Sequence, residues 1–189
     1  MTESFVLLWG ATTLSEQESE ELFPLLTSSE RARAATLGDV LSQRYLSGRY
    51  LARKLGGDIL GQPWTSVIPR AHCAQCGMDH GAITLEGTDV HISLSSSGRV
   101  LVAAGIRGHR IGIDIEQGNV GDLREVAGKT GTHTVTLASW CDYEAVVKAM
   151  GVGNALSIDE LDPDVVSAQF TLHHARQHDG LVLAVAVSH

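Results

Sequence analysis

Two short segments hold side chains suited to gripping a cation and a phosphate. They are IGIDIE, Ile111 to Glu116, and WCDYEAVVK, Trp140 to Lys148. On a strand, successive side chains point to opposite faces. The first segment therefore sets Ile111, Ile113 and Ile115 on one face and Asp114 and Glu116 on the other. In the second, Trp140, Glu144 and Lys148 recur every four residues and line one helical stripe. If the strand end faces that stripe, three carboxylates and one ammonium converge. Hard oxygen donors of this kind suit Mg²⁺, which keeps several waters and bridges phosphates. Each piece alone has a plainer reading. Asp114 and Glu116 fit a solvated strand edge, and Trp140 fits a core position. Glu144 and Lys148 fit a surface ion pair worth about 0.2–0.5 kcal/mol. Their combination in one half of the chain favours a site.

Several elements must position these residues. Residues 4–10 read as a strand. Ser15 to Leu26 reads as a helix, with Ser15 and Glu18 in capping-box spacing and Pro24 ending or kinking it. Residues 39–55 form an amphipathic helix with an apolar stripe of Leu41, Tyr45, Gly48, Ala52 and Leu55. Arg49 and Arg53 lie on another of its faces, and Gly56-Gly57 is expected to close it. Residues 63–82 are loop-rich. Strands are expected over 83–86, 90–95 and 99–105, with turns at Ser97-Gly98 and near Gly108, before the IGIDIE strand. Residues 117–135 are polar and Gly-rich, with little expected structure. The second helix runs from Trp140 to Met150 and stops at Gly151 and Gly153. The C-terminus alternates short strands with a turn at Asp179-Gly180. GRVLVAAGI (98–106) and DGLVLAVAV (179–187) each follow a turn with a small apolar strand, a weak sign of a duplicated α+β unit with a site at the junction.

With 189 residues and 43% hydrophobic content, the chain can bury a substantial core. No apolar run approaches the roughly 18–20 residues of a membrane span. The opening MTESFVLLWGATTL lacks a basic start and reads as a first core strand rather than a signal peptide. Three cysteines argue against a disulfide framework and for the reducing cytoplasm. A net charge of −8 disfavours nucleic acid as a partner. The charge is uneven, however. From Arg31 to Lys54 there are six basic residues (Arg31, Arg33, Arg44, Arg49, Arg53, Lys54) against one acid, Asp39. Such a run is ordinarily a solvated helix face. Here it can also face phosphates or an acidic partner.

Other groups weigh less. His72, Cys73, Cys76 and His80 stand close to zinc-knuckle spacing, but no second ligand pair follows, and a turn with buried thiols is expected. Ser93, Ser95, Ser96 and Ser97 have no nucleophile elbow and no evident base, so a hydroxyl-rich turn is expected. His173, His174 and His178 sit in a polar strand–turn region and should be exposed.

RYLSGRYLARKL, the C-x₂-C-G-x₂-H-G loop, ISLSSSGRV, IGIDIE and WCDYEAVVKAMGVG together resemble the surfactin-type 4′-phosphopantetheinyl transferases, particularly actinobacterial ones. The resemblance covers most of the chain. It implies an α+β fold of two similar halves, 1–106 and 107–189, related by pseudo-two-fold symmetry within one compact domain. Coenzyme A would lie in the cleft between them. It also implies a monomer, with no nucleic acid or membrane partner, that moves the phosphopantetheine arm of coenzyme A onto a serine of an acyl or peptidyl carrier protein. Asp114, Glu116 and Glu144 resemble the family's Mg²⁺ ligands. Glu144 resembles the base for the incoming hydroxyl, and Lys148 a phosphate partner. Arg31 and Arg44 match positions that hold the 3′-phosphate. Ser95 and Ser97 match the serines of a serine-histidine-serine turn, and His80 and Gly81 begin the loop near the adenine.

The chain also departs from that pattern. Ser96 stands where a phosphate-binding histidine is expected. Ala82 replaces a lysine, and Tyr143 replaces a basic residue. Glu116 and Glu144 are only 28 positions apart, so residues 117–135 are too short for the helix that helps dock the carrier. Each lost phosphate contact costs on the order of 1.5–3 kcal/mol. Two rival readings therefore stand beside the transferase. One is a diverged relative with another reaction in secondary-metabolite biosynthesis. The other is a non-catalytic module that holds a carrier or another partner.

Overall fold

Local signals in the chain set most of the elements. The structure, a computed structural model, describes residues 4–71, 81–118, 136–152, 162–176 and 180–189. Val6–Ala11 (β1) is followed by Glu16–Leu22 (α1), whose capping box joins Ser15 and Glu18 as expected. Pro24 cuts this helix short, and Phe23–Leu25 continues as a single 3₁₀ turn. Ser28–Ala35 (α2) has the same device in Thr27 and Glu30, a signal the sequence reading passed over.

Asp39–Leu60 (α3) runs straight through Gly56-Gly57 and ends at Gly61 in the left-handed conformation. The expected stop at the glycine pair is therefore wrong. The glycines serve close approach instead. A Cβ on Gly56 would sit 2.6 Å from Leu85 Cδ1, and one on Gly57 would sit 2.8 Å from the Gln62 carbonyl.

The strands Pro69–Ala71 (β2), Ile83–Leu85 (β3), Val90–Ser97 (β4) and Val100–Arg107 (β5) follow, of which β2 lay in the expected loop. Ser93 to Ser97 lie on β4 rather than in a turn, which Gly98 makes at φ 58°. Ile111–Glu116 (β6) is the IGIDIE strand. Leu137–Met150 (α4) begins before Trp140 at an N-cap on Thr136 and stops at Gly151. Pro163–Gln169 (α5), which the sequence reading missed, precedes Phe170–Arg176 (β7) and Val182–Ser188 (β8).

The fold is α+β, with two antiparallel sheets ordered β1-β5-β4-β3-β2 and β6-β8-β7. Alternation along the strands sorts the core into layers. Leu101 and Ala103 of β5 meet Leu51, Ala52 and Leu55 of α3. Val102, Ala104 and Ile106 face Ile111, Ile113 and Ile115 of β6 and Leu183, Val185 and Val187 of β8. Ala184 and Ala186 turn the other way, onto Cys141, Ala145, Val146 and Ala149 of α4. The order is helix, sheet, sheet, helix. Gly112 lets α4 settle onto β6, since a Cβ there would lie 1.9 Å from the Ala145 carbonyl oxygen.

The two sheets share part of their connectivity. In each, the first strand precedes a long helix, and the last strand, β5 or β8, lies between that first strand and the strand just before it in the chain, β4 or β7; the five-stranded sheet adds β3 and β2 beyond β4. The two sequence echoes are these last strands. Among the described residues, no helix is long and apolar enough to cross a membrane.

Candidate functional site

Asp114 sits near the middle of β6 and is 4% exposed. Its Oδ1 receives Lys148 Nζ at 2.6 Å and the Ser95 hydroxyl at 2.7 Å. Its Oδ2 is buried and, among the described residues, has no hydrogen-bond partner, with the Cys141 thiol, which donates to the Val182 carbonyl at 3.7 Å, beside the carboxylate. Lys148 reaches down from α4 and also donates to the Ile113 carbonyl at 3.1 Å and to Ser95 Oγ at 3.2 Å. The Ser97 hydroxyl donates to Glu116 Oε2 at 3.2 Å. The strand and the helical stripe therefore meet as the spacing predicts.

Burial pushes the Glu116 carboxyl above its ordinary range, and the charges of Asp114 and Glu144 add to this. The Ser97 hydroxyl and Lys148 oppose it. Glu144 is also raised, first by burial and then by Asp114, against the pull of Lys148. Carboxylates this close hold their protons tightly unless a cation joins them.

Among the described residues, no three carboxylate, thiol or imidazole side chains are grouped to enclose a metal ion by themselves. Mg²⁺ does not require such a cage, since one or two carboxylates plus water and phosphate complete its shell. The bare Oδ2 of Asp114 and the proton-hungry Glu116 fit a hard divalent cation in charge and donor type. Cys141 lies buried beside them. Burial and the neighbouring carboxylates drive its thiol far above the reactive range, which disfavours it as a nucleophile.

A cleft of about 770 Å³ opens next to Lys148. Its walls come from α2, α3, β4 and the end of α4, and it draws four cations, Arg33, Arg44, Arg49 and Lys148, with no carboxylate among its lining residues. Behind the wall, Arg53 grips Glu30 with both nitrogens at 2.8 and 3.1 Å, and Arg49 Nε lies 3.5 Å from the same carboxylate. All three residues are at most 5% exposed. Burial raises the Glu30 carboxyl, but the Arg53 hydrogen bonds, the Thr27 amide and both guanidinium charges outweigh it and hold the group low. Two buried guanidinium groups share one carboxylate, so positive charge is left over at the cleft. Arg49 Nη1, Arg44 Nε and Tyr45 Oη are buried without hydrogen-bond partners. Buried donors left unpaired are costly, and an anion in the cleft is the natural counterpart.

The structure brings together Asp114, Glu116, Lys148, Ser95 and Ser97, and it sets Arg44, Ser96, Gly81 and Ala82 on the cleft wall. Glu144 joins through the electrostatic coupling described above. Arg31 does not line the cleft. It donates to the carbonyls of Leu26 and Phe23 and stacks over the Phe23 ring. Of the rest of the basic run, Arg53 serves Glu30, and Lys54 lies over Tyr50 and Trp64. Glu30, one position before the counted run, is the acid that neutralises part of it. Trp140 and Tyr143 pack together, ring centroids 5.4 Å apart.

His173 and His174 are exposed as expected, and His174 pairs with Asp142 at 2.6 Å. His72, Cys73, Cys76, His80, His178, Gly153 and most of 117–135 lie outside the described residues. Arg33 and Arg49 belong to the basic run that the sequence offered to phosphates, whereas Tyr45, read as part of the apolar stripe, was missed as a cleft residue. The spacing of Arg44, Tyr45 and Arg49 on α3 was visible, but which face turned inward was not.

The fold and site define an α+β protein with a cation-lined cleft beside a buried carboxylate–lysine cluster. No protein-family profile matches the chain, and no curated protein is significantly similar to it.

Proposed function

We propose that this protein is a Mg²⁺-dependent phosphopantetheinyl transferase. It takes the 4′-phosphopantetheine arm from coenzyme A and attaches it to a serine of an acyl or peptidyl carrier protein in the cytoplasm. One observation carries this reading: a cleft with four cations and no carboxylate in its lining adjoins a carboxylate cluster with a bare, buried Asp114 oxygen. Phosphates suit the first part, and a divalent cation suits the second. In both sheets the last strand lies beside the first, which goes with a pseudo-two-fold arrangement of halves, although one sheet has five strands and the other three.

In this reading Arg44, Arg33 and Arg49 hold the phosphates of coenzyme A. Asp114 and Glu116, with Glu144, hold Mg²⁺, which when bound offsets charge on the phosphate oxygens. The Glu144 carboxylate accepts the proton of the carrier serine. The serine oxygen forms a bond to phosphorus as the bond to adenosine 3′,5′-bisphosphate breaks. Lys148 acts mainly by fixing Asp114, because its three donors already have acceptors in the protein.

That same saturation favours a second reading. Ser95, Ser97 and Lys148 are occupied internally, while Ser96 and Ala82 bring no charge, so a diverged relative with weak coenzyme A binding remains in play.

One assay separates the two. The protein is incubated with coenzyme A, Mg²⁺ and a panel of apo carrier proteins, and intact mass reports the arm. Transfer that Asp114→Ala and Glu144→Ala abolish is the expected result. Folded protein that modifies no carrier sinks the transferase reading, and absent coenzyme A binding by calorimetry favours the relative.

A further inference from the structure

β6 is the outer strand of its sheet and pairs with β8 on one side only. Its other edge turns toward β4, where Ser93, Ser95 and Ser97 recur at every second residue and so share one face. An unpaired strand edge must find partners for its backbone groups. Here hydroxyls supply them. Ser93 Oγ accepts from the Ile113 amide at 3.1 Å, and Ser97 Oγ accepts from the Gln117 amide at 3.0 Å. Ser95 Oγ accepts from Lys148 instead, at 3.2 Å.

Each hydroxyl has a single proton, and a carboxylate can only accept. With the acceptor side of Ser95 and Ser97 in use, their protons go to Asp114 Oδ1 and Glu116 Oε2. Among the described residues, no hydroxyl bonds to the second oxygen of either carboxylate. In Asp114 it is the buried Oδ2 that lacks a partner.

We infer that Ser95 and Ser97 are positioning residues that select which oxygen of Asp114 and of Glu116 faces a divalent cation. This rests on the reading that these carboxylates hold such a cation. It differs from a direct serine contact with phosphate. In this arrangement the hydroxyls are spent on β6 before any ligand arrives. Ser95 does most, because it orients both Asp114 and Lys148. Without it, Oδ1 keeps only the lysine, and the carboxylate can turn.

The test uses the full chain without coenzyme A and titrates Mn²⁺, followed by electron paramagnetic resonance. Circular dichroism melting checks folding. Coenzyme A binding is measured separately by calorimetry in EDTA. Ser95→Ala should weaken Mn²⁺ binding at least tenfold, and Ser97→Ala should weaken it less. Ser95→Thr keeps the hydroxyl and should restore most of the affinity. Coenzyme A affinity in EDTA should stay within about twofold.

A Ser95→Ala protein that keeps its Mn²⁺ affinity overturns the inference, as does failure of threonine to restore it. Loss of coenzyme A binding beyond tenfold in EDTA assigns the hydroxyl to the ligand and also overturns it. So does a wild-type protein that binds no Mn²⁺. If the serine dependence holds while no carrier is modified, only the transferase reading falls.

Discussion

Glu116, Glu144 and Glu30 titrate with opposite consequences. The first two have folded pKa values raised above the ordinary 4.5, so the native state holds their protons longer than the unfolded chain does. Their contribution is neutral below that value and turns destabilising as pH climbs through the raised folded values. In the metal-free protein, the contribution of Glu116 and Glu144 to stability should therefore fall from about pH 4.5 upward. Glu116→Gln should make it more stable than wild type in urea melts at pH 8, and equal or lower stability there would contradict the assignment. Glu30 is lowered, so its stabilisation is present above about 4.5 and fades as pH falls through the folded value. Arg53→Met leaves Glu30 with the longer Arg49 contact and the Thr27 amide, and breaking a buried pair in this way costs about 3–5 kcal/mol. Chemical denaturation gives that figure directly. A cost under about 1 kcal/mol, the scale of an exposed pair, would mean that water reaches the cluster.

The elements carry their information unequally. Capping boxes at Ser15–Glu18, Thr27–Glu30 and Thr136–Ser139 start helices from local sequence alone. The glycines do not act locally. In an exposed helix, Gly→Ala stabilises by about 1 kcal/mol. At Gly56 the new methyl meets Leu85 and Val67 at 2.6 and 2.9 Å, so Gly56→Ala should destabilise instead. Gly112→Ala is the more severe case, because its neighbour is the Ala145 carbonyl, which cannot rotate away. Overpacking of this kind costs about 1–3 kcal/mol or more. It should also lift Glu144 and Lys148 off β6 and, in the transferase reading, lower carrier modification beyond the stability loss. Thermal melting and turnover measured on the same sample check both effects, and unchanged turnover would detach α4 from the chemistry.

At the scale of the molecule, the four layers leave the cleft at the meeting of α3, β4 and α4, so that Arg44 and Lys148 share one cavity although far apart in the chain. Cations with unpaired donors around a cavity bind anions in a salt-dependent way. If the protein is the transferase proposed above, Arg44→Gln should weaken coenzyme A binding by about 1.5–3 kcal/mol, the scale of a hydrogen bond to a charged group. Calorimetry at low and high salt should show wild-type affinity falling as salt rises, with a smaller fall in the variant. An equal salt response in both would remove Arg44 from the contact.

The sequence by itself determined the strand that carries Asp114 and Glu116, the helical stripe of Glu144 and Lys148, and most strand positions. Periods of two and of nearly four residues are properties of the local backbone. It also pointed to a charged segment but not to its purpose, because charge spacing does not say which face turns inward. Only the tertiary structure decided that Arg49 and Arg53 share Glu30, that Arg31 caps a turn away from the cleft, and that the serines of β4 clasp β6. Those outcomes depend on which groups are forced together out of water. There a polar atom must find a partner across the fold, and a glycine is kept for the neighbour it admits.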